Sequence, residues 1–490
     1  MQKKDSDLTN YLPPRSRGLD SIMKPSSIAV IGASAGVGKW GYLMVQRLLL
    51  SGFKGSIYPI NPSQREIQGL PCYENISDVS GSIDLAVITT PASTVPGHLR
   101  DCLRRGIPGA VIISAGFAET GAEGFLLEKE ISAIAKEKGI RFVGPNCMGL
   151  WSAAGVVNLC FRRSVKAGPI AFISQSGTFG VALAQVAAEK GYGLSAFISI
   201  GNQADLDASD YLEYLAGDSE TKVIAIYLEG LKAGRRFFEM AAEIVKTKPV
   251  IIYKGGTTEE GARATMSHTA SIAGSEKVFD GMCRQAGIIQ VKEAFHLFEI
   301  AEALVGQPVP GGNRVAILGS GGQGVVGADA CASLGLQLPE LDQVTAQAIS
   351  ELLPGHAPLA KNPVDFAGSR RTSLQEAEII ERLMKLDYID GVISNVPVSP
   401  QIWNPDLKID LESPESMPET VRKAIEGGKL YASLSKRYGK PLICLRFARI
   451  EQDVIEDILI EGGVPIYDTP EQCARAMAAL VCCRKARYKE

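Results

Sequence analysis

Histidine is nearly missing from this chain, with four in 490 residues, and long apolar runs and one-sided charge are missing too. No stretch approaches the ~20 apolar residues that span a bilayer, and the polar start, residues 1–17, has no apolar core of signal-peptide length. A net charge of −3 and a pI near 6.0 give no reason to expect nucleic-acid or membrane binding. Ten cysteines occur without CxxC pairs or histidine spacing, and Cys482 and Cys483 are adjacent. Neither a zinc site nor a disulfide framework is indicated, so no metal is expected. The chain reads as reduced, soluble and cytoplasmic.

What is present is one local plan, used three times. Apolar strands at 27–32, 169–174 and 314–319 each run into a glycine-rich or small-residue turn. The turns are 33–39 (ASAGVGK), 175–178 (QSGT) and 320–324 (SGGQG), and helices are expected from Trp40, Phe179 and Val325. Further apolar runs alternate with helical stretches: IYPIN, DLAVITT, AVIISA and RFVGPN, then AFISIG, VIAIYLE and PVIIYK, then DGVISNV and PLICLRF. Continuous apolar runs mark strands buried on both faces, as in parallel sheets. The fold class is therefore α/β, with three successive Rossmann/flavodoxin-like parallel-sheet domains.

Composition sets the expected boundaries. Residues 151–168 lack a period and read as a divider, and 305–312 (VGQPVPGG) reads as a linker. The resulting domains are 1–155, 165–305 and 313–490. Ligands of such sheets gather at the C-terminal ends of the strands.

In the first turn the glycines fall at Gly32, Gly36 and Gly38, which is not the G-x-G-x-x-G of dinucleotide dehydrogenases. The second strand ends at Asn61, where an NAD-binding domain would place an acid for the ribose hydroxyls. A glycine-rich turn at a helix N-terminus still binds phosphate. A phosphate-rich adenine nucleotide other than NAD is favoured, and coenzyme A qualifies.

His268 stands in a run of small residues, 261–274, with no strong strand or helix period, and the segment reads as a loop. Little there could pack against an imidazole. Backbone N–H groups in such a segment could approach an anion, which suits a histidine that takes and gives a phosphoryl group. His98, His296 and His356 carry no comparable context.

Taken in order, ten segments resemble the α subunit of ADP-forming acyl-CoA synthetases, the acetate–CoA ligases related to succinyl-CoA synthetase. They include IAVIGAS (28–34), GSIYPINP (55–62), DLAVITTPA (84–92), AVIISAGFAE (110–119), GPNCMG (144–149), FISQSGTFG (172–180), YLEG (227–230), SHTASIAGS (267–275), NPVDF (362–366) and VPIYDTPE (464–471). The resemblance covers nearly the whole chain. It implies a CoA-binding domain followed by two ligase domains, with CoA on Gly32, Ser34, Gly36, Gly38, Lys39, Asn61, Pro91, Ser114 and Ala115. It also implies that phosphate attacks the thioester, that the acyl phosphate passes its phosphoryl group to His268, and that ADP receives it.

The residues make chemical sense in those roles. Imidazole titrates near neutrality and is a usable nucleophile. Glu229 ends a strand, where a carboxylate could hold the second ring nitrogen. Ser174, Gln175, Ser176, Gly177 and Thr178 could cradle phosphate at a helix N-terminus, and Ser176 or Thr178 could cap that helix, alone or together with that role. Asn146 matches a family position near the acyl and phosphate site, and Cys147 reads as a packing thiol. Ala270 departs from the family's usual glycine. No strong second phosphate loop with nearby lysines and metal-binding carboxylates is read in the third unit. The resemblance therefore implies an ATP-grasp β subunit holding Mg-ADP, in an α2β2 assembly. A CoA-binding sensor without turnover and a Rossmann oxidoreductase are the competing readings.

Overall fold

The computed structural model describes residues 18–269, 276–368, 372–402, 404, 407, 409, 417–446 and 453–488. Two compact units divide the chain, 1–298 and 299–490. The first unit holds two main sheets. In the first sheet, β1 (Ser27–Ile31), β2 (Ser56–Ile60), β5 (Leu85–Ile88), β6 (Gly109–Ile112) and β7 (Arg141–Val143) lie in the order β2-β1-β5-β6-β7, all parallel. A short hairpin of β3 (Glu66–Ile67) and β4 (Leu70–Pro71) follows β2.

The second sheet adds an antiparallel edge. Strands β8 (Leu150–Ser152) and β9 (Val157–Asn158) pair with each other, and β8 pairs antiparallel with β11 (Leu194–Ser199). The rest are parallel: β10 (Ala167–Ser174), β12 (Val223–Leu228), β13 (Val250–Lys254) and β14 (Ile289–Val291), in the order β14-β13-β12-β10-β11-β8-β9. The second unit carries β15 (Val315–Gly319), β16 (Val364–Asp365), β17 (Gly391–Asn395), β18 (Leu442–Leu445) and β19 (Ile466–Tyr467) in the parallel order β16-β15-β17-β18-β19.

Leaving aside the antiparallel edge, all three sheets share the flavodoxin-like order 2-1-3-4-5. That order sets a crevice between the first and third strands of each sheet, where successive connections leave on opposite faces. In the first unit the crevices open beside Gly32 and beside Gln175. β1 and β5 are buried through their whole length, and β10 over its last five residues, because helices cover both faces.

Three local expectations need correction. Residues 150–158, inside or beside the expected divider, form β8 and β9 on the second sheet. Strands of three and two residues are too short for an alternating period to show. The helices after the second and third turns begin at Gly177 and Gly322, earlier than expected, so the turns are tighter. The segment around His268 is helical, Glu259–Thr269, and only the backbone of His268 is described. Residues 270–275, including Ala270, lie outside the described residues.

A candidate active site between two sheets

The segment Gly144–Gly149 joins the two sheets of the first unit. Asn146 donates its N–H to the Ser114 carbonyl of the first sheet (2.9 Å). From the second, Ala204 N–H reaches Gly144 O (3.0 Å) and Asn202 N–H reaches Pro145 O (3.0 Å). Asn146 sits at φ 56°, a left-handed conformation that asparagine tolerates better than most residues. Gly201 allows the close approach, since a Cβ there would fall 2.3 Å from Pro145 O.

Between the sheets lies a cleft of about 410 Å³, whose lining includes Trp40, Ser114, Ala115, Asn146 and the run from Gln175 to Thr178. The helix from Gly177 opens into it. Its N-cap Ser176 makes no side-chain capping bond, so the first-turn N–H groups keep their affinity for an anion. The capping alternative for Ser176 is thereby removed. Gly177 has no room for a side chain, because a Cβ would meet Met148 Cγ at 2.5 Å.

Ser174 is not part of the lining. It ends β10 fully buried, and its hydroxyl turns inward to donate to Ser176 O (2.7 Å), shaping the turn rather than facing the cleft. Gln175 is 5% exposed, and its Oε1 accepts from the N–H groups of both Glu229 (2.8 Å) and Gly230 (3.0 Å). Those two bonds fix the amide orientation and leave its NH2 donors for other partners.

Glu229 stands one strand away and is outside the cleft lining. Its peptide is clamped from two sides, by Gln175 at its N–H and by Lys254, whose Nζ donates to Glu229 O (2.7 Å). Burial lowers the Lys254 pKa, and the Glu229 charge works in the opposite direction. Glu229 Oε1 accepts from Tyr227 Oη (3.2 Å), while Oε2 is buried without a hydrogen-bond partner among the described residues. Burial, then the Glu229 charge, raises the Tyr227 pKa and keeps that phenol a donor. Cys147 also lines the cleft, but burial pushes its thiol up to about 12, so it is no nucleophile near neutrality.

The first turn is more open. Gly36 N–H donates to Ser34 Oγ (3.0 Å), and Lys39, at the N-cap of the helix Trp40–Leu50, makes no capping bond. Gly36 and Ser34 are half-buried, and Gly38 and Lys39 are exposed. Asn61 is committed to the turn itself: Nδ2 donates to Ala33 O (2.7 Å) and Oδ1 accepts from Ser63 N–H (2.8 Å). Thr89 Oγ1 reaches Ile31 O and Gly32 O, closing the crevice floor between β1 and β5. Pro91 is exposed and precedes a short 3-10 turn at Ala92–Thr94. Gly38 opens instead on a second cleft, of about 920 Å³, along the Trp40 helix.

Sequence reasoning missed Trp40, Thr89, Glu119, Met148 and Asn202 in the cleft, and Lys254 behind Glu229. A lysine closing the apolar run VIIYK was the one available signal.

Residues 26–153 match the family described as a CoA binding domain, and 167–304 match the succinyl-CoA ligase like flavodoxin domain. Over 465 residues the chain is 38% identical to the ADP-forming acetate–CoA ligase II subunit alpha of Pyrococcus furiosus, covering 94% of this chain and 97% of that one. The chain belongs to the ADP-forming acetate–CoA ligase family. It is 36% identical to the ADP-forming acetate–CoA ligase I of Archaeoglobus fulgidus, covering 96% of this chain but 64% of that longer relative. The solved dinucleotide forming acetyl-coenzyme A synthetase 1 of Ca. Korarchaeum cryptofilum, in complex with phosphate and ADP, matches with a TM-score of 0.82 at 34% identity. That match covers 96% of this chain and 97% of that one.

Proposed function

We propose that this chain is the α subunit of an NDP-forming acid–thiol ligase that interconverts acyl-CoA, ADP and phosphate with the free acid, CoA and ATP. The observation that carries this reading is the single cleft where Asn146, Ser114 and the uncapped Gly177 helix converge between two flavodoxin-like sheets. CoA lies across the open first turn, on Gly32, Ser34, Gly36, Gly38 and Lys39, with Pro91, Ser114 and Ala115 along its path. Asn61 acts on CoA through the turn it holds.

Phosphate sits at the N-terminus of the Gly177 helix. One of its oxygens attacks the thioester carbonyl, the C–S bond breaks, and CoA leaves as a thiol after protonation. Asn146 and the Gln175 amide donate to the oxygens that gain charge. The His268 ring nitrogen then displaces the carboxylate from phosphorus, and Glu229 holds the other ring N–H. ADP takes the phosphoryl group on a β subunit of the ATP-grasp type, which holds magnesium, in an α2β2 assembly.

The family matches at 26–153 and 167–304 support the first two parts of the division, a CoA-binding domain (1–155) and a ligase domain (165–305), and a second ligase domain (313–490) completes the proposal. No described helix is long and apolar enough to cross a membrane, and a cytoplasmic place is part of the proposal.

The test is reconstitution with a β subunit. Acetyl-CoA, phosphate and ADP should give ATP with the native chain and none with His268→Ala. Unchanged ATP formation by that variant would overturn the mechanism. CoA binding without turnover in any condition would favour a non-catalytic CoA module.

A further inference from the structure

Among the described side chains lining the 410 Å³ cleft, Glu119 alone carries a formal charge. Both of its oxygens are held. Oε1 accepts from the N–H groups of Gly116 (2.6 Å) and Phe117 (3.1 Å), and Oε2 accepts from Asn202 Nδ2 (2.6 Å). Asn202 in turn donates to Glu128 (2.8 Å) and accepts from Asn146 Nδ2 (3.3 Å). Burial pushes the Glu119 pKa up, but these bonds outweigh it, and the carboxyl is held below its ordinary value. The charge therefore persists at neutral pH and cannot swing away. No described cation pairs with it, since the nearby lysine, Lys232, is on Glu128 (3.5 Å).

The cleft wall thus carries fields of both signs. The uncapped Gly177 helix attracts anion at one part of the wall, and Glu119 repels it at another. A bound acyl group has its reacting carbonyl near the phosphate, so its far end must meet the remaining wall. In so small a space a second carboxylate lies within strong interaction range of Glu119 and is also stripped of water.

We propose that Glu119 is a specificity-determining residue of this site, a fixed negative charge that rejects acids with a terminal carboxylate and admits neutral or cationic tails. This rests on the ligase reading above and deepens it by naming the substrate class. It gives Glu119 a role beyond holding its own turn.

The experiment uses the chain with its β subunit, running ATP, CoA and acid toward ADP. Three acids of matched backbone serve as probes: butyrate, succinate and β-alanine. For the native protein, kcat/KM should be at least about 100-fold lower for succinate than for butyrate. Glu119→Gln should narrow that ratio about tenfold and move β-alanine, relative to butyrate, in the opposite direction. Glu119→Asp, which keeps the charge, should preserve the order. Native use of succinate within about threefold of butyrate would overturn the proposal. So would a uniform loss for all three acids in Glu119→Gln, which a purely structural role predicts. Failure of every acid in the native protein would instead sink the ligase reading itself.

Discussion

The turns after β1 and β10 have the same position in sheets of the same strand order, yet they are built in opposite ways. The first, 32–39, is exposed over much of its length, and few side chains hold it. The second, 174–178, begins on two buried side chains, and both are spent on internal hydrogen bonds. Both lead to helices whose N-caps lack a side-chain bond. The difference suits their tasks. A long flexible ligand needs an open saddle, whereas group transfer needs donors that do not move.

Gln175→Leu should have the largest effect, because it leaves the buried N–H groups of Glu229 and Gly230 without an acceptor. Each such loss costs about 1–3 kcal/mol, so thermal stability falls by several degrees and kcat by about 10²-fold or more. A normal kcat would erase the contrast between the turns. Gly41→Ala attacks the other turn, since its Cβ would fall 2.0 Å from Gly32 O. Forcing the helix off the turn costs about 1–3 kcal/mol and should raise KM for CoA about tenfold, with a smaller change in kcat. Binding measured by calorimetry would show which parameter moves.

Lys254→Met removes the cation beneath Glu229 while keeping the stem. It should lower kcat about tenfold with little change in KM for CoA, because only the support of the Glu229 peptide and the nearby positive charge are lost. Replacing the exposed Lys39 by alanine should raise KM for CoA only a few-fold and flatten its dependence on salt. The smallest effect belongs to Cys147. With its thiol at about 12, treatment with iodoacetamide at pH 8 should leave this cysteine unlabelled, as peptide mass mapping would show.

Most strands of these sheets were legible because parallel strands buried on both faces are continuous apolar runs. The β8–β9 edge was not, because its pairing is decided by the neighbouring β11 and not by its own pattern. The helix bearing His268 was hidden for another reason. Its alanines, glycine, serine and threonines carry no apolar stripe, although Glu259 and Glu260 in the first turn were a start signal. Within the cleft, the run QSGT was readable because turn residues after a strand announce phosphate chemistry. Glu119 and Asn202 were not, since they come together only through the packing of two sheets.

The most direct test of the central claim is the intact mass of the purified chain after incubation with acetyl-CoA and phosphate near neutral pH. Gain of one phosphoryl group, mapped to His268 and lost in His268→Ala, is the predicted result. A chain that binds CoA yet gains no phosphoryl group, with or without a β subunit, would contradict it.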